Sequence, residues 1–98
     1  MSKVYLTSIA ADHPCLAGHF PGNPIVPAVV ILDCVQDALR AQAGAERITR
    51  IVSVKFLAPL KPAEELRITL DLQAPTARFK CESGSRLLAQ GSLEFVAA

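Results

Sequence analysis

Three features of this sequence can do chemistry, and they lie near one another along it. The first is His19, set in Gly18-His19-Phe20-Pro21-Gly22-Asn23-Pro24. An imidazole with an intrinsic pKa near ~6.5 takes up and returns protons at neutral pH. Glycine and proline on both sides suit a rigidly held, exposed ring, although a lone histidine is more often structural. The second is Asp33, fourteen residues on, in the second turn of a predicted helix. A carboxylate on a helix's polar stripe is ordinarily just solvated. Its neighbours Ile31, Leu32, Cys34 and Val35 point instead to partial burial, which raises a carboxyl pKa and suits a general acid. Asp37, one turn further, acts the same way as a like charge. The two are not an acid pair of the glycosidase kind, since sugar-stacking aromatics are missing: no Trp and one Tyr. The third feature is the start of that helix. The N–H groups of Ala28, Val29 and Val30 lack partners within it and carry the positive end of its dipole. In most helices such donors are solvated or capped; here they would stabilise negative charge growing on a docked carbonyl oxygen.

Positioning these groups requires particular elements. Val4 to Ala10 reads as a short strand by its alternation. Asp12 to Val26 carries three prolines and two glycines and reads as a long irregular loop, a kind of segment that is often functional. A helix is predicted from Pro27, whose missing N–H is harmless at a first helical position, to near Gly44. Its residues Val30, Ile31, Leu32, Cys34, Val35, Ala38 and Leu39 cover an arc of roughly 200°, wider than an ordinary surface helix buries. Asp33, Gln36, Asp37 and Arg40 share the rest. Strands follow: Val52, Val54 and Phe56 alternate with Ser53 and Lys55, and Leu66 to Leu72 alternate with Arg67, Thr69 and Asp71. Thr76 to Glu82 and Arg86 to Val96 flank a Ser83-Gly84-Ser85 turn. The expected order is one strand, a loop, one helix and four strands. Short connections imply an antiparallel sheet, and one helix buried over most of its circumference implies a sheet curled around it, an α+β architecture.

Composition narrows the classes. The 98 residues predict one domain. With 51% hydrophobic residues and 19% charged, the chain is not intrinsically disordered. Ten Lys+Arg against nine Asp+Glu leave +1, which provides no general drive toward nucleic acid or anionic membrane. No run reaches the ~18 apolar residues of a membrane span, and no signal peptide is visible, so a cytoplasmic location is expected. Cys15, Cys34 and Cys81 are scattered, form no metal-binding spacing, and are expected to be buried, reduced thiols.

His19-Phe20-Pro21-Gly22-Asn23-Pro24-Ile25-Val26-Pro27, followed by Leu32-Asp33, resembles the active-site signature of the β-hydroxyacyl-acyl-carrier-protein dehydratases. The family pattern is His-Phe-x-Gly-x-Pro-x-x-Pro-Gly with an acid fourteen residues after the histidine. Val54 to Pro62 resembles the family's Phe-x-x-Pro-x-x-Pro strand segment, and Arg78 to Cys81 with Leu88 to Phe95 its last hairpin. The resemblance implies the hot-dog fold, an antiparallel sheet wrapped around one central helix. It also implies roles: His19 takes the C2 proton of a β-hydroxyacyl thioester, Asp33 protonates the departing hydroxyl, and Ala28 and Val29 donate to the oxyanion. Phe20 and Pro27 complete the substrate-binding signature. No metal or redox cofactor is implied. The partners implied are an acyl carrier protein and a second subunit in a homodimer or higher even oligomer, or a heteromer, because the family's histidine and acid meet from different subunits. Carrier proteins of this type are acidic, which makes Arg40, Arg47, Arg50 and Lys61 candidates for docking. His13, outside the signature, is assigned a structural or surface role.

Three departures stand out. Asp33 stands where one large branch has Glu, and the isomerising branch has Asp. Ala28 replaces the usual Gly, and Asp37 stands where Gln is common. A short N-terminus resembles the small dehydratases of aryl polyene pathways. The alternatives are a non-catalytic acyl-binding partner subunit and a hot-dog thioesterase. Acyl length depends on side chains at positions such as Phe56, Leu57 and Phe79.

Overall fold

The computed structural model describes residues 2–9 and 26–97. Its elements run β1 (Ser2–Ser8), α1 (Ala28–Ala43), β2 (Ala45–Phe56), β3 (Glu65–Gln73), β4 (Thr76–Ser83) and β5 (Arg86–Ala97). The five strands form one antiparallel sheet in the order β1-β3-β4-β5-β2.

The helix begins one residue later than predicted. Pro27 is the N-cap, with an extended ψ of 148°, and its carbonyl accepts from Val30 N–H at 3.0 Å. Gly44 closes the helix in the left-handed region (φ 62°), donating its N–H to Leu39 O, a conformation that costs glycine no Cβ clash. Val30, Ile31, Cys34, Val35, Ala38 and Leu39 are buried, as the arc requires, and Leu32 is half-buried. They pack on the inward row of the sheet: Leu66, Ile68 and Leu70 of β3, Ala77, Phe79 and Cys81 of β4, and Ala89 and Leu93 of β5. Each fully buried leucine or isoleucine contributes about 1.5–3 kcal/mol.

The sheet's curl is visible in its edges. β1 and β2 lie at opposite ends of the strand order, yet α1 is hydrogen-bonded to both. Gln42 Nε2 donates to Val4 O at 3.1 Å, and Gln36 Oε1 accepts from Ile48 N–H at 3.5 Å. A flat five-stranded sheet is too broad for one helix to reach both edges. This is the hot-dog arrangement.

Two boundaries differ from the sequence reading. β1 spans Ser2–Ser8 rather than Val4 to Ala10; Tyr5 packs inward opposite Ile68, while Val4 and Leu6 face out and are exposed. β2 begins at Ala45, well before Val52. Register shifts between Ala45 and Arg47, Ile48 and Arg50, and Ile51 and Ser53 break its alternation, so no period of two marks its first half. The turn at Gly84 is as expected: a two-residue loop with glycine first, at φ 60°. Among the described residues no helix is long and apolar enough to cross a membrane.

Gly91 of β5 lies in register between Val54 of β2 and Phe79 of β4. A Cβ there would overlap the Ser53 carbonyl oxygen and sit 2.9 Å from Val54 Cα and 3.0 Å from Phe79 Cζ. Two of those neighbours are backbone and cannot yield. Gly91→Ala is expected to cost about 1–3 kcal/mol, read as a lower urea midpoint; an unchanged midpoint would mean that β2 and β5 do not approach so closely.

Candidate active site

Of the three N–H groups that the sequence leaves without a partner at the helix start, one is taken. Val30 N–H is taken by Pro27 O. No side chain caps the helix, and among the described residues the N–H groups of Ala28 and Val29 have no acceptor. Both residues are exposed, Val29 at 64%.

Asp33 lies one turn past Val29 on the same face, about 40° round and about 6 Å along the axis. It is exposed, so the partial burial suggested by its neighbours is absent in the single chain. The reason is angular: Ile31, Cys34 and Val35 turn inward while Asp33 turns out with Val29 and Asp37. Asp37 is paired with Arg40 at 3.9 Å.

A groove of about 340 Å³ opens at the same helix end, walled by Val26, Ala28, Ile31, Phe56, Leu57, Ala58 and Pro59. All of its lining side chains are apolar. Phe56 and Leu57, picked out for chain length, line it. Phe79 does not; it is buried in the core. Asp33 points about 140° away from Ala28 and about 160° from Ile31 around the helix. Within one chain the acid and the groove therefore diverge. His19 and Phe20 lie outside the described residues, as do His13 and Cys15; Pro27 is the helix cap.

Beside Asp33 sits Cys34, whose thiol is pushed up from 9.0 to about 11 by burial, with Asp37 and Asp33 adding to it. Burial foremost, then Cys34 and Glu82, pushes Cys81 up to about 12. Both are free, buried thiols and poor nucleophiles at neutral pH. Among the described residues no three His, Cys, Asp or Glu side chains gather into a metal site.

Sequence reasoning missed a second, polar feature. On the face away from the helix, two rows of side chains cross all five strands in register. One is Val4-Thr69-Lys80-Gln90-Lys55 and the other Ser2-Asp71-Arg78-Ser92-Ser53. Between them runs a groove of about 810 Å³, floored by Val54, Gly91 and Phe79. Lys55, Arg78 and Lys80 are exposed there and make no ion pair among the described residues. The docking candidates read from the sequence do not gather: Arg40 pairs with Asp37 on the helix, Arg50 with Glu94, Arg47 is also engaged, and Lys61 lies in the loop after β2. The three cations come from two strands, β2 and β4, and converge only through register, which no linear motif records.

Solved structures with the same fold have diverse activities. The chain superposes on a chain of the dehydratase heterocomplex ApeI:P from Xenorhabdus doucetiae with a TM-score of 0.79 (21% identity, 97% of this chain, 87% of that one). For an (R)-hydratase from A. caviae the TM-score is 0.68 (15% identity, 100% and 95%). For a fluoroacetyl-CoA-specific thioesterase, FlK, it is 0.70 (13%, 98% and 90%). These likenesses define the fold, which is the hot-dog fold. The ApeI-like family model, described as ApeI dehydratase, matches residues 2–92, and the chain belongs to that family. Among its relatives is the 3-hydroxyacyl-[acyl-carrier-protein] dehydratase FabZ of Chlamydia trachomatis, 29% identical across 97% of this chain and 72% of the relative. The FabZ of Pelotomaculum thermopropionicum is also 29% identical, across 94% and 75%.

Because the two thiols stay protonated in the folded state above the pH near 9.0 where unfolded thiols ionise, the folded chain holds more protons there. Stability present below about pH 9 is lost as pH rises toward 11 to 12. The urea midpoint should fall over that window, and fall less in the Cys34→Ala/Cys81→Ala double variant.

Proposed function

We propose that this protein dehydrates β-hydroxyacyl thioesters carried on an acyl carrier protein to trans-2-enoyl thioesters. The observation that carries this reading is the start of α1, where the Val29 N–H has no acceptor among the described residues and the exposed Asp33 carboxyl lies one turn further on. Membership of the ApeI-like family supports it. In the proposed reaction His19 takes the C2 proton, and charge moves onto the thioester oxygen at the Ala28 and Val29 N–H groups. Asp33 gives its proton to the C3 hydroxyl, which leaves as water while the C2–C3 double bond forms. The proton held on His19 then returns to Asp33 through solvent.

The reading requires a second subunit. The apolar groove and Asp33 diverge around one helix, so one chain's acid serves the groove of another. The second half of β2 supports this: Ile51, Val52, Val54 and Phe56, with Leu57 after it, are 36–49% exposed along a sheet edge. An exposed apolar edge of that length is ordinarily covered. Complementation tests the arrangement. His19→Ala should abolish dehydration, and Asp33→Asn should cost on the order of 10²–10⁴-fold, both followed by mass spectrometry of the enoyl product. Each inactive variant spoils both sites of its own homodimer. A mixed dimer keeps one intact site, so unfolding and refolding the two together should restore about a quarter of wild-type activity. No recovery from folded, dimeric mixtures would place the acid and base in one chain.

The carrier's docking surface is assigned to the outer groove. Lys55, Arg78 and Lys80, which make no ion pair among the described residues, offer three cations against the groove's one carboxylate, Asp71, to an acidic partner, where the earlier candidates are dispersed or paired. Arg78→Glu/Lys80→Glu should raise KM for carrier-bound substrate about tenfold with kcat unchanged, and leave turnover of a carrier-free thioester analogue untouched. Equal losses on both substrates would remove the groove from carrier binding.

A further inference from the structure

The loop between β2 and β3 is bound to the rest of the chain at each of its ends and in its middle. At its start, Leu57 N–H and Ala58 N–H donate to Leu88 O at 2.7 and 3.3 Å. At its end, Glu64 Oε1 accepts from Lys61 N–H at 2.9 Å and from Arg86 Nη2 at 2.8 Å. Both attachments are to the first residues of β5. Between them the loop makes two contacts of another kind. Leu60 O accepts from Val26 N–H at 2.9 Å, and Ala63 N–H donates to Ile9 O at 2.7 Å. Leu60 is fully buried beneath.

Ile9 and Val26 flank the sixteen residues 10–25, which carry His19. The two ends of that stretch are thus fixed to residues three apart on a single loop. At most about 11 Å of chain separates the two anchor points. Ala63 adopts φ 68° to present its N–H, a left-handed conformation that an alanine keeps only where its surroundings hold it. The next residue closes this turn: Glu64 N–H donates to Lys61 O at 3.3 Å, and its carboxylate ties the loop across itself to Lys61 N–H and outward to Arg86.

We propose that Glu64 is a positioning residue for the dehydration: through Lys61 N–H and Arg86 it sets the loop that fixes both ends of the His19 stretch. This rests on the reading of His19 as the base. Glu64 contributes little as an exposed ion pair alone, since such pairs are weakly stabilising. Its effect is on geometry. The backbone bond from Lys61, together with Arg86, holds its carboxyl below the usual carboxylate range, so the tie is intact at neutral pH.

The test reads backbone exchange and kinetics in parallel. In Glu64→Ala, amide hydrogen exchange at Val26 and Ala63 should quicken about tenfold or more while Ile68 and Leu70 in the core stay unchanged. The same variant should lose about tenfold in kcat with KM held. Glu64→Gln, whose amide oxygen still accepts from Lys61 N–H, should recover most of both. Glu82→Ala, which removes an ion pair to Arg67 elsewhere on the sheet, should change neither. Unchanged exchange at Val26 and Ala63 in Glu64→Ala overturns the proposal. So does faster exchange with undiminished kcat, or an equal loss in Glu82→Ala. A wild-type protein without dehydratase activity would instead count against the functional reading, and the exchange measurement, which needs no substrate, would then decide the loop's role by itself.

Discussion

One helix with an apolar arc of more than half its circumference has to be buried by one sheet. Val35, Ala38 and Leu39 reach complete burial, and only a curled sheet can do this in so short a chain. Curling brings both sheet edges to the helix, where Gln42 and Gln36 bond to β1 and β2. The register shifts of β2 belong to the same constraint, since bulges let an edge strand bend as it wraps. The close approach at Gly91, where β5 is squeezed between β2 and β4, is where that bending leaves no room for a side chain.

The same constraint divides the site. A helix held on most sides has one free stripe, and Val29, Asp33 and Asp37 occupy it. Ala28 and Ile31, rotated away, wall the apolar groove against Phe56 and Leu57. Ala28, Val29, Ile31 and Asp33 are within a few residues of one another in sequence, yet the exposed stripe and the groove open in different directions.

What was legible in the sequence was whatever one element determines alone. The arc of α1, the Gly44 stop, the alternation of Leu66 to Leu72 and the turn at Gly84 all need only local chemistry. The signature around His19 and Asp33 pointed to the family that the match over residues 2–92 defines. Three things escaped. The first half of β2 is hidden because bulges erase its period. The exposure of Asp33 was misjudged because sequence neighbours on a helix are 100° apart and do not bury one another. The cation row of Lys55 and Lys80 with Arg78, and the tie from Glu64 to Arg86, join residues far apart in the chain, so only the folded register reveals them.

The two glutamines of α1 also govern how such a sheet can grow. An antiparallel sheet with two bare edges is a link in an open fibre, because each end accepts another copy without limit. Here Gln42 occupies the Val4 carbonyl at one edge, and Gln36 occupies the Ile48 amide at the start of the other. Each glutamine thus takes one backbone group of an edge strand out of the set that another strand could pair with, and ties that edge to the helix instead.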